Sequence, residues 1–474
     1  MASGTQTTRE TDHTRAPFAE IALVFRAALL LGAGGGFLLA CVLTLSSMLG
    51  VPLGACWLAL AQAHGNLQLF GWAGLFVVGV SLHFLPRLRG TPLVATWPVR
   101  WLAWGQAVAL CLRALAQPWL AAIGQPPARI ILVGSGVLEC LVLFGLVLLL
   151  GLTFGRGPAL AKRPAFGHTL PLVACAFVCL GLAGVVNLVN LWQIAGGVVS
   201  ATGDQLFVTL GLFGFLLPMA LGMSARSLPM YGGLDAFPPQ WLLSLAFAYI
   251  SGLLVLCVGI LGNWQAVEGA GRMLIGGVLL SFTFLFLRTM RTRGKLPRKV
   301  AQLAPEPATR ARAYRARMAQ ERSSYGPFVT LIASAYLWAV VSGLFLLTDG
   351  LFELFSRTAP LADDAIRHGL TVGFVSLLIS GLAPRMLPGF SGGTIRSGRL
   401  VSATLWLGNL AALFRVGSLV FAPWLMIGSF DLGQVAFGWS GALGLALAIS
   451  LAYNLWPALR SSRSRAVTQP EERA

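Results

Sequence analysis

Apolar runs of about 20 residues follow one another along most of this chain, with only short polar stretches between them. About 20 residues rising ~1.5 Å each is the length a helix needs to cross the hydrocarbon of a bilayer. Marked off at that length, spans fall near 19–45, 55–85, 97–119, 129–153, 168–194, 204–225, 240–262, 269–289, 326–348, 366–385, 400–427 and 433–457, twelve in all. With 56% hydrophobic residues, 11% charged and a mean hydropathy of +0.77 over 474 residues, the chain carries more apolar surface than a soluble core hides. The expected class is an all-α polytopic membrane protein.

The formal net charge of +18 would point a soluble protein towards nucleic acid, but here the Lys and Arg gather in alternate connections. Those after spans 2, 4, 6, 8 and 10 hold Arg87, Arg89 and Arg100; Arg156, Lys162 and Arg163; Arg226; the run from Arg288 to Arg322; and Arg385, Arg396 and Arg399. The other connections hold Asp204, Glu268, Asp349, Glu353, Asp363, Asp364 and Asp431. This is the positive-inside pattern, which puts both termini in the cytoplasm and makes lipids, not nucleic acid, the expected partner. The chain divides into a cytoplasmic tail (1–18, with His13 solvated), spans 1–8 (19–288), a basic loop (289–325), spans 9–12 (326–457) and a second tail (458–474). Residues 1–17 lack the apolar stretch of a signal peptide. The loop reads as a solvated connector whose Arg-rich half lies on anionic lipid. The seven cysteines are scattered through apolar runs without a C-x-x-C pair and read as small buried residues.

A pattern recurs three times: Gly79-x-x-x-His83-x-Leu85-Pro86 with Gly90, Gly222-x-x-x-Arg226-x-Leu228-Pro229 with Gly233, and Gly381-x-x-x-Arg385-x-Leu387-Pro388 with Gly392. Each copy closes an apolar run, and Pro with Gly just beyond is expected to stop the helix. The copies end spans 2, 6 and 10, so the chain divides into three successive four-helix units, with His83, Arg226 and Arg385 level with one another.

Twelve helices in three fours is the plan of the heme-copper oxidase catalytic subunit. The stretch His64-Gly65-Asn66-Leu67-Gln68-Leu69-Phe70-Gly71-Trp72-Ala73-Gly74-Leu75-Phe76, ending in Leu85-Pro86-Arg87, resembles a heme-bearing second helix. His368 to Phe374, continuing through Ala383-Pro384-Arg385-Met386-Leu387-Pro388, resembles the matching tenth helix. Together they resemble the NnrS family, heme-containing inner-membrane relatives of that subunit associated with bacterial responses to nitric oxide. The resemblance covers most of the membrane part, with two specific segments, and implies heme b.

The residues give their own account of a site. An intramembrane histidine is costly enough to be a functional candidate, and His64 and His368 both fall in the outer part of their spans. They form a candidate axial pair. His83 is about 28 Å from His64 along a helix and cannot share its metal; it reads as an interfacial group at a helix end, as does His168. Gln68 follows His64 by four residues on the same face. Gly71, Gly74 and Gly79 leave room for a macrocycle or for close helix packing. Arg113, Arg367 and Arg415 lie where heme propionates need cationic partners, and Glu139 and Asp204 would equally neutralise them in salt bridges. Asn187, Asn190 and Gln193 make a polar stripe on span 5 suited to interhelical hydrogen bonds.

The oxidase copper site needs a histidine on the sixth helix and two on the seventh, yet spans 6 and 7 hold none, and Asp204 stands at the start of span 6. No convincing copper ligand set is seen and oxygen reduction is not expected. Two function classes follow: a heme protein whose iron handles electrons from a donor or a small gas such as nitric oxide, or a small-solute transporter or channel with Glu139, Arg113, Arg415 and Asp204 along its path.

Overall fold

A computed structural model of the chain describes residues 18–159, 167–232, 236–291, 306–427 and 430–460. His13, Lys162, Arg163, Gly233, the first part of the basic loop and most of both tails lie outside these.

Twelve helices are long and apolar enough to span a bilayer: Phe18–Met48, Cys56–Arg89, Trp97–Ile123, Pro126–Gly155, Leu170–Trp192, Ala201–Pro229, Pro239–Gly262, Gln265–Arg291, Phe328–Leu354, Asp363–Ser391, Gly398–Val420 and Leu432–Arg460. They are called spans 1 to 12 in this order. The protein is an all-α, multi-pass membrane protein. Successive spans pack side by side, and span 12 returns against span 1, closing the bundle. Spans 2, 6 and 10 are 89, 78 and 78% buried over their most apolar windows against at most 56% for the others, so these three form the interior. The outer helices turn Leu, Ile, Val, Phe and Trp outward, as Trp101, Leu115, Ile130, Leu148, Phe247 and Trp406 do. That arrangement suits a lipid solvent and fails in water.

The motif glycines have a structural counterpart upstream. A π-helical stretch interrupts each inner span: Leu67–Ala73, Leu210–Leu216 and Gly369–Ser376. Each begins 12 residues before Gly79, Gly222 or Gly381. A fourth, Gly32–Gly36, lies in span 1. Such bulges shift the face presented by everything beyond them and concentrate at functional sites.

Proline does not stop these helices, contrary to the sequence expectation. Pro86 and Pro388 lie inside the helical turns, and the chain leaves the helix at Gly90 and Gly392, both left-handed at φ 68° and 70°. The proline carbonyls take the capping bonds, from Thr91 N–H to Pro86 at 3.0 Å and from Gly392 N–H to Pro388 at 2.8 Å. The motif therefore encodes a helix end in which Pro supplies the acceptor and Gly the positive φ.

The three motif positions His83, Arg226 and Arg385 have different surroundings. His83 is buried and stacks on Phe390 of span 10 at 3.6 Å between ring centroids. Arg226 is exposed, and Arg385 pairs with Glu321 at 2.6 Å. Glu321 belongs to a further helix, Pro307–Tyr325, in the second half of the basic loop. Between spans 11 and 12, Met426–Ile427 and Phe430–Asp431 form a short antiparallel ladder, Met426 opposite Asp431.

Candidate functional site

Spans 1, 2, 6, 10, 11 and 12 enclose a cavity of about 410 Å3 towards the end of the bundle where the even-numbered spans begin. That volume lies within the ~300–1,000 Å3 of cofactor and ligand sites. Of the six candidate cofactor-binding residues, all but Arg113 border it: His64, Gln68, Arg367, His368 and Arg415. Asp204 and Asp364 join them, while Phe37, Trp72, Phe207 and Phe437 supply aromatic walls.

Each histidine is held from behind. His64 lies in the last turn of Cys56–Asn66, just before the π-helical stretch of span 2, and its Nδ1 is 2.8 Å from the Gly36 carbonyl oxygen of span 1. His368 ends the first turn of span 10, and its Nδ1 is 2.9 Å from the Asp364 carbonyl oxygen and 3.0 Å from Asp364 Oδ1. Carbonyl and carboxylate oxygens only accept, so Nδ1 carries a proton in both rings and Nε2 is the nitrogen left for a further partner. Neither Nε2 is hydrogen-bonded among the described residues. An Nδ1–H held by oxygen with Nε2 left over is the arrangement that orients a metal-bound imidazole.

The cations divide. Arg415 Nη2 donates to Asp364 Oδ2 at 2.6 Å and its guanidinium lies 4.2 Å from the Phe437 ring, leaving Nε and Nη1 buried without a hydrogen-bond partner. Arg367 sits 3.9 Å from Asp363. Arg113 does not border the cavity: it is 2% exposed and its guanidinium stands 5.4 Å from the centroid of the Phe207 ring. Burial in low dielectric demands partners, and it finds them in Gln117 Oε1 at 3.1 Å and Asn187 Oδ1. Gly71, Gly74 and Gly79 face Leu110, the Leu69 carbonyl and Phe25, so they serve helix packing and not the cavity wall.

Sequence reasoning read Asp364 only as a charge in a connection. Its spacing of four residues from His368 on a helix was the available signal. Gln62 and Asn66, which flank His64 and also border the cavity, were missed because amides in an apolar span look like packing residues. At the floor, Trp72 Nε1 donates to Ser376 Oγ at 3.1 Å, tying the π-helical stretches of spans 2 and 10 together. Among the described residues no three His, Cys, Asp or Glu side chains gather into a metal-binding group. No known protein-family model matches the chain, and no curated protein matches its sequence.

Proposed function

We propose that this is a heme protein of the NnrS kind in a bacterial inner membrane, with both termini cytoplasmic and His64 and His368 as axial ligands of heme b. It acts in electron transfer or nitric-oxide handling and not in oxygen reduction. One observation carries the reading: two imidazoles from different inner spans border one cavity, each with Nδ1 fixed by an oxygen and Nε2 free. A planar porphyrin edge is apolar and its propionates are anionic, which suits aromatic walls together with a half-buried Arg415 whose Nε and Nη1 are unused donors. Gln68 and Arg367 complete the polar rim.

When bound, such a group supplies reversible one-electron chemistry at its iron. The chain's part is to orient the two rings, keep water out with Phe37, Trp72 and Phe207, and place positive charge near the acidic substituents. The matched π-helical stretches support the three-unit plan as well, since one 12-residue offset recurs in spans 2, 6 and 10.

A reduced-minus-oxidised visible spectrum of protein purified from heme-replete cells tests the proposal. A low-spin b-type spectrum supports it. A colourless protein overturns it in favour of a solute path through the charged cavity.

A further inference from the structure

We propose that Glu139 is a proton-exchange group serving the cavity through Asn66, an inference that rests on the electron-carrying reading above. Glu139 lies near the middle of span 4 and is 1% exposed, walled in by spans 2, 3 and 5. A carboxylate in such a place must be met by donors. Asn66 Nδ2 and Asn187 Nδ2 donate to its Oε2 at 3.1 and 2.8 Å, and Gln106 Nε2 donates to Oε1 at 3.2 Å. Asn187 also links it to Arg113, whose Nη1 donates to the Asn187 Oδ1. From Arg113 the bonds run on through Gln117 to Gln62, at 3.1 and 2.8 Å. Asn66 and Gln62 both border the cavity, so the network opens on it twice, one helical turn apart on span 2.

A static ion pair leaves one feature unexplained. The two amides that donate to Glu139 from spans 2 and 3 have idle carbonyl oxygens: Asn66 Oδ1 and Gln106 Oε1 are buried with no hydrogen-bond partner. A protonated carboxyl is itself a donor and needs an acceptor. A half-turn of either amide presents that oxygen to Glu139, so the pocket holds partners for both protonation states. The charged groups that face this site are Arg113 of span 3, which favours the carboxylate, and Asp204 of span 6, which acts on Arg113 from the cavity side. The remaining neighbours are the neutral amides of Asn66, Gln106 and Asn187 and the thiol of Cys140 beside it on span 4.

The exchange balances charge. When the cavity's occupant accepts one electron from a one-electron donor, Glu139 gains one proton drawn from solvent at the cavity mouth: one O–H bond of a hydronium ion breaks to leave water, and one O–H bond forms on the carboxyl, accepted by Oδ1 of the turned Asn66 amide. Reoxidation reverses both, and no net charge accumulates in the low-dielectric interior.

Potentiometric titration of the full-length protein at several pH values, with infrared difference spectra of the same samples, tests this. The wild type should show a midpoint that falls as pH rises and a carboxyl C=O band on reduction, and Glu139→Gln should lose both while keeping the visible spectrum. An unchanged pH slope with the infrared band retained in Glu139→Gln overturns the proposal. Should that variant fail to fold, Asn66→Leu leaves the carboxyl in place and must flatten the slope; an unaltered slope overturns the proposal equally. A colourless protein sinks the heme reading alone. Infrared pH titration of that protein then decides Glu139: a carboxyl band that appears and vanishes across neutral pH supports exchange, and a permanently ionised carboxylate overturns it.

Discussion

His64 Nδ1 rests 2.8 Å from the carbonyl oxygen of Gly36, the last residue of the π-helical turn in span 1. The neighbouring spans therefore share the job of aiming the ring: span 2 supplies the imidazole and span 1 its acceptor. A Cβ at Gly36 would lie 2.9 Å from Gln68 Cδ. Gly36→Val should displace Gln68 and the ring behind it, lowering bound heme per protein by roughly 10-fold, the scale on which lost outer-shell support acts. Pyridine hemochrome assay of purified protein measures it.

Replacing either axial candidate has a sharper outcome. His64→Ala and His368→Ala should each abolish the heme spectrum or convert it to high spin, because six-coordinate iron needs both rings. His83→Ala, which removes a ring stacked on Phe390 away from the cavity, should leave the spectrum unchanged. A low-spin spectrum surviving in His64→Ala would remove it from the ligand pair.

Asp364 is expected to matter nearly as much as His368, the proposed ligand it holds. Its Oδ1 meets His368 Nδ1 and its Oδ2 meets Arg415. Asp364→Asn keeps the shape but loses the charge that makes the imidazole a stronger donor. Heme retention should weaken by about 10–100-fold, read by transfer to apomyoglobin.

Bundle stability depends on close backbone contact between spans 8 and 9. A Cβ on Gly276 would sit 2.8 Å from the Gly343 carbonyl oxygen and 3.1 Å from Leu346 Cβ. Gly276→Leu should force the helices apart and destabilise by about 1–3 kcal/mol, as overpacking does. The thermal midpoint in detergent should fall while the visible spectrum below it stays the same.

The orientation is checked with reporters. Fusions at Ser323, in the basic helix, and at Ser356, after span 9, should report opposite sides of the membrane, with Ser323 cytoplasmic. Matching reports would contradict the alternation of Arg-rich and acidic connections.

The number and placement of the spans were legible in the sequence because hydrophobic length is a local property. Twelve apolar runs give twelve helices among the described residues, and where apolar residues dominate about 20 positions in a row no tertiary contact is needed to choose a helix. The recurrence at Gly79, Gly222 and Gly381 was legible for the same reason. What Pro86 and Pro388 do was not, since a proline reads as a stop until its carbonyl is seen receiving the cap of a left-handed glycine. The pairing of His64 with His368 was a matter of chemical type and position; that they border one cavity depends on spans 2 and 10 packing together in the interior. Arg113 shows the limit most plainly. From its place in span 3 it looked equal to Arg367 and Arg415, but helix rotation turns it behind Phe207 towards Gln117 and Asn187. Sequence sets which side chains a helix carries, while packing sets which way they face, and a buried charge goes to whichever partners that rotation brings within reach.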